Sequence, residues 1–97
     1  MDWEDICKKN NVDSSFLKEF RPSAGLRLLN YGEFLAAKER LTSYQLGFNL
    51  LPIFIDNEKS VVAIYTNDIF KGKVVVYEDE PYPDFSPDFR NINSFLN

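Results

Sequence analysis

The sequence predicts a single α+β domain in which a small antiparallel sheet of three to four strands packs against helices. Three observations carry that expectation. The run from Gly47 to Tyr65 holds two apolar stretches rich in β-branched and aromatic residues around the polar segment Asp56 to Ser60, the pattern of two strands joined by a short turn. A third strand-like run, Lys73 to Tyr77, follows after the polar loop Asn67 to Gly72. Ahead of them, Asn30 and Glu33 have the spacing of a capping box, and Phe34, Ala37, Leu41 and Tyr44 recur at three- and four-residue steps on one helical face. A chain of 97 residues that is 44% hydrophobic suits one domain with one continuous core, without metal or disulfide support.

Each element has its own local cause. Asp2 can cap a first short helix that carries Trp3, Ile6 and Cys7 on one side, with Lys8 and Lys9 near its C-terminal end to complement the dipole and Asn10-Asn11 to end it. A second helical segment is expected from Asp13 to Phe20, stopping at Arg21 because the residue before Pro22 is pushed out of the helical region. Ser23-Ala24-Gly25 reads as a loop, and the apolar run Leu26 to Asn30 reads as a brief edge strand. The capped helix then runs to near Leu46-Gly47. In Leu50 to Asp56 both alternating faces are apolar, so neither side of that strand is fully wet. Pro52 lacks a donor and is expected at the strand start or on an unpaired side. Ser60 to Thr66 pairs back across the turn, Lys73 to Tyr77 adds the next antiparallel strand, and Ser86-Pro87 opens a last helix carrying Phe89, Ile92, Phe95 and Leu96.

Composition removes several function classes. There is no histidine, which takes away the commonest general base and the usual serine or cysteine triads. Cys7 stands alone, so no intrachain disulfide forms and no multi-thiolate metal site exists; beside Ile6 on the apolar side of a short helix it reads as a buried structural thiol. The four glycines are scattered singly and form no phosphate-cradling loop; Gly72, between Lys71 and Lys73, reads as a turn glycine. A Ca²⁺ loop is not matched by the spacing of the carboxylates, and no cofactor or metal is expected. An acidic N-terminus, a single cysteine and no apolar stretch of membrane-spanning length make a cytoplasmic protein the expectation.

Charge is segregated. Met1 to Val76 contains ten acids and ten bases, whereas Tyr77 to Asn97 contains five acids (Glu78, Asp79, Glu80, Asp84, Asp88) and one base (Arg90), so the net charge of -4 lies entirely in the last fifth of the chain. A field of this sign repels nucleic acid and anionic membrane and favours a basic protein partner. The candidate site is accordingly Glu78, Asp79, Glu80, Tyr82, Asp84, Phe85 and Asp88, where aromatics supply contact area and carboxylates steer a basic surface. The competing reading is a solvated loop whose aromatics, held by Pro81, Pro83 and Pro87, fold back on the core. A weak homodimer through an apolar strand edge is a further possibility.

The order of these pieces resembles the SUKH superfamily, which includes bacterial immunity proteins and a fungal cell-wall-synthesis regulator. The residues that carry the resemblance are Leu28-Leu29 with Glu33-Phe34-Leu35, Gly47-Phe48, Leu51-Pro52-Ile53-Phe54, Val62-Ala63-Ile64-Tyr65, Gly72-Lys73-Val74, and Phe89 with Ser94-Phe95-Leu96, covering about residues 26 to 97. The turn Asn57-Glu58-Lys59 departs from the glycine-containing turn of many members, and Phe48 stands where many have Trp. The resemblance implies an α+β fold and a non-enzymatic module that neutralises a bacterial toxin by occupying it. The alternative it leaves open is a housekeeping regulatory or scaffold protein of the same fold with no toxin partner.

Overall fold

Among the residues described, which are all of 1–97 except Ala24 and Phe48, the computed structural model forms α1 (Trp3–Lys9), α2 (Phe16–Glu19), β1 (Leu26–Leu28), α3 (Tyr31–Ser43), β2 (Leu50–Asp56), β3 (Val61–Tyr65), β4 (Val74–Tyr77) and α4 (Ile92–Leu96) in chain order. The expected Ser23-Ala24-Gly25 loop and the Gly47-Phe48 pair each include one residue outside that description. The strands make one antiparallel sheet in the order β1-β2-β3-β4, so the α+β expectation holds with four strands.

The helix ends follow their capping chemistry. Asp2 accepts a hydrogen bond from the Asp5 amide at 3.2 Å and starts α1. Asn30 and Glu33 form the reciprocal capping box of α3, each side chain accepting from the other's backbone N–H at 2.8 and 2.9 Å. This helix stops at Ser43, short of Leu46-Gly47. Gln45 takes the left-handed conformation (φ 63°), its amide donates to Thr42, and the Leu46 amide donates to Leu41. That is a Schellman closure, with Leu46 packed on the cluster that contains Leu41.

Two further expectations are corrected. The second helix is one turn, Phe16–Glu19, because the Asp13 carboxylate accepts from the Ser15 amide and holds the preceding residues in a turn. The last helix starts at Ile92 under an Asn91 cap rather than at Ser86-Pro87, because Asp88 and Phe89 are engaged with β4.

The sheet divides the interior. On one face Leu51, Ile53, Val62, Ile64 and Val74 pack with Trp3 and Cys7 of α1, Phe16 of α2 and Ile92 of α4. On the other, Leu50, Val61, Ala63, Tyr65, Val75 and Tyr77 pack with Leu41 of α3. Thus β2 and β3 have apolar residues on both faces, and every residue of β3 is buried. Pro52 pairs with Ala63 upstream of the stretch that β1 covers, and the register shifts between Pro52 and Phe54, a position where a missing donor is tolerated. Both Ile53 and Phe54 thereby reach the first core, where the Phe54 ring meets Phe20, Phe16 and Phe95 at 4.8, 5.9 and 6.0 Å.

The β2–β3 turn is organised by Asp56, whose carboxylate accepts from the Glu58 and Ser60 amides at 2.9 and 2.8 Å. Lys59 occupies the left-handed conformation there (φ 65°), which is the backbone state a turn glycine would supply.

Candidate functional site

Beyond Tyr77 the chain leaves the sheet and runs beneath the C-terminal end of α3. Arg40 of that helix and Tyr44, which caps its end, hold it. Arg40 forms an ion pair with Asp79 at 2.8 Å, and the Tyr44 hydroxyl donates to the Glu80 carbonyl at 3.1 Å. The Arg40 guanidinium also lies 5.7 Å from the centre of the Tyr44 ring.

The middle of the tail is fixed by Phe85. Its half-buried ring sits 4.9 Å from that of Tyr77 and 5.7 Å from that of Tyr44, against the core on the α3 side of the sheet. Its carbonyl accepts from the Tyr65 hydroxyl at 2.7 Å. Burial raises the pKa of that hydroxyl, and the charges of Asp68 and Asp84 add to the effect. Asp84 itself accepts from the Ser86 amide at 2.9 Å, which holds its carboxyl below the ordinary range.

The far end of the tail closes the sheet. Asp88 and Phe89 donate their amides to the Val74 carbonyl at 2.8 and 3.0 Å, the Phe89 carbonyl accepts from the Val74 amide at 2.8 Å, and the Asp88 carboxylate accepts from the Val76 amide at 2.7 Å. The outer edge of β4 is therefore already occupied at Val74 and Val76, and the strand-edge pairing considered for a homodimer has no free template there.

The seven residues singled out in the sequence consequently divide into two groups. Glu78, Glu80, Tyr82 and Asp84 are displayed to solvent, Tyr82 at 92% exposure, and among the described residues the side chains of Glu78, Glu80 and Tyr82 have no hydrogen-bond or ion-pair partner. Asp79, Phe85 and Asp88 hold the tail to the rest of the molecule. Sequence reasoning missed Asp68 and Ile69 in the β3–β4 loop, where the charge of Asp68 acts on the Tyr65 hydroxyl as that of Asp84 does. Asp68 has φ 71° and accepts from the Ile69 amide at 2.8 Å, leaving the Ile69 side chain 82% exposed. The available signal was an isoleucine in the loop directly after an aspartate that tolerates the left-handed region, beside a Phe70 that packs on the core.

Chemistry elsewhere is sparse. Cys7 is fully buried, and burial followed by the charge of Asp13 pushes its thiol up to about 11, leaving it inert as a nucleophile at neutral pH. Among the described residues no cluster of three or more His, Cys, Asp or Glu side chains is placed to hold a metal ion, and no helix is long and apolar enough to cross a membrane. Searches with protein-family models, against characterised proteins and against solved structures each find no match to this chain.

Proposed function

We propose that the protein is a cytoplasmic, non-enzymatic binding module that captures a basic protein partner on the tail from Glu78 to Asp84, and that it acts as an immunity protein against a cognate bacterial toxin. The observation that carries the proposal is a division of labour in one segment: unpaired carboxylates and a projecting tyrosine are displayed by a backbone that Arg40, Tyr44, Tyr65 and Val76 hold in place. A held display lowers the ordering cost of association relative to a loose acidic loop. Asp68, whose charge reaches the Tyr65 hydroxyl as that of Asp84 does, brings one more carboxylate near this segment. Carboxylates without local partners steer a basic domain, an effect of about 10- to 10³-fold on the association rate at low salt. The SUKH-like order of motifs supports assigning the partner to the toxin class.

The test begins with capture of partners from the native host and identification by mass spectrometry, followed by stopped-flow association with the partner found. Glu78→Gln combined with Glu80→Gln should slow association and flatten its dependence on salt while leaving thermal stability unchanged. Association kinetics that do not respond to the double substitution would remove this surface from the interface. Capture of no basic protein would remove the toxin assignment.

A further inference from the structure

The tail already receives one arginine, and every part of that contact is visible. Arg40 pairs with the Asp79 carboxylate at 2.8 Å, while its guanidinium lies 5.7 Å from the centre of the Tyr44 ring and donates to the Tyr44 hydroxyl at 3.3 Å. A guanidinium serves both partners at once, because it donates within its plane and lies against an aromatic ring with its face. The contact needs only a carboxylate and a tyrosine close together.

Three residues beyond Asp79 the tail presents the same side-chain types with no arginine between them. Tyr82 is 92% exposed, more than any other large apolar or aromatic side chain among the described residues, and its ring and hydroxyl have no partner there. Glu80 stands two residues before it and Asp84 two residues after. Both carboxylates are exposed, and neither makes an ion pair among the described residues, Asp84 accepting only from Ser86. The backbone beneath them is stiff: Pro81 and Pro83 fix their own φ and disfavour helical conformations at Glu80 and Tyr82. The Tyr44 hydroxyl holds the Glu80 carbonyl on one side, and the Tyr65 hydroxyl holds the Phe85 carbonyl on the other. Little chain freedom is therefore left to lose on binding.

From this correspondence, and resting on the reading of the tail as the partner surface, we propose that Tyr82 with Glu80 and Asp84 is a receiving site for an arginine of the partner. The guanidinium lies against the Tyr82 ring and donates to a flanking carboxylate, as Arg40 does with Tyr44 and Asp79. The site selects arginine over lysine, because an ammonium is a more strongly hydrated point charge with no plane to lay on the ring. The partner is narrowed from a basic protein to one whose contact residue is arginine.

Acetylated hexa-arginine and hexa-lysine amides, equal in length and charge, test this by calorimetric titration of the full chain at low salt. Hexa-arginine should bind about 2- to 5-fold more tightly, the range of one exposed cation–π contact. Tyr82→Ala should bring that preference close to unity with hexa-lysine affinity unchanged, and Tyr82→Phe, which keeps the ring, should retain most of it. Glu78→Gln combined with Glu80→Gln should weaken both peptides. Equal affinity of the parent for the two peptides, or a preference that Tyr82→Ala leaves unchanged, would overturn the arginine site and leave the acidic surface standing. Absence of binding by either peptide, or binding that ignores the glutamine substitutions, would overturn the acidic surface itself and the arginine site with it.

Discussion

The carboxylate of Asp88 accepts a hydrogen bond from the backbone amide of Val76 at 2.7 Å, so an acidic side chain of the tail occupies a ladder position on the outer edge of β4. Replacing Asp88 with Ala leaves that amide unpaired and frees the edge at Val76, while the backbone bonds of Asp88 and Phe89 to Val74 remain. A loss of about 1–2 kcal/mol in urea unfolding is expected, together with concentration-dependent association in sedimentation velocity as the opened edge finds partners. Asp88→Asn keeps an acceptor oxygen and should retain most of the stability.

Phe85 and Tyr82 are three residues apart and should behave oppositely. Phe85→Ala removes a half-buried ring from between Tyr44 and Tyr77 and should cost about 2 kcal/mol in chemical denaturation, below the ~3–5 kcal/mol of a fully buried phenylalanine. Tyr82→Ala should leave stability within about 0.5 kcal/mol of the parent, since its ring is 92% exposed. If Tyr82→Ala unfolds the domain, the displayed tail is instead a structural element.

The Arg27–Glu33 pair sets a pH dependence. Hydrogen bonding from Arg27, followed by the Asn30 amide, lowers the Glu33 carboxyl from 4.5 to about 2. Because the folded value lies below the unfolded one, the stabilisation is fully present above about pH 4.5 and is lost as the pH falls towards 2. Glu33→Gln preserves the reciprocal cap of α3 but removes the charge. In urea titrations across this window the parent should lose stability more steeply than the variant, by a modest amount because both side chains are partly in water. Parallel acid limbs would show that the pair contributes nothing to the pH dependence.

Gln45 closes α3 in a conformation that glycine adopts without steric penalty. Gln45→Gly should therefore raise stability by about 1 kcal/mol, the left-handed strain relieved exceeding the added freedom of the unfolded chain. Thermal unfolding measures it, and a lowered midpoint would mean that the glutamine backbone is unstrained there.

How far the sequence can be read depends on the range of the interactions involved. Asn30 and Glu33 announce a helix start because both halves of the cap lie within four residues, and Leu50 to Tyr65 announces two strands because runs rich in β-branched and aromatic residues flank a polar turn. The last helix begins later than its local sequence implies because the partner that engages Asp88 and Phe89 is Val74, a residue in a strand rather than in the local segment. The tail's charge was legible as charge. Its sorting into displayed and engaged residues was not, since Asp79 is paired by Arg40 of α3 and Phe85 is wedged by Tyr44 at that helix's C-cap, each about forty residues earlier.

The alternation of held and displayed positions along the tail has an evolutionary consequence. Glu78, Glu80 and Tyr82 hang from a backbone whose attachment points are Asp79, Phe85 and Asp88, so their side chains can be exchanged without disturbing the attachments, whereas Asp84 also holds the Ser86 amide. If the tail is the proposed interface, it can change its partner by single substitutions at these sites, each nearly neutral for folding. On the proposed function, a lineage under pressure from a changing adversary would accumulate variation at the three unpaired sites and keep the three attachments.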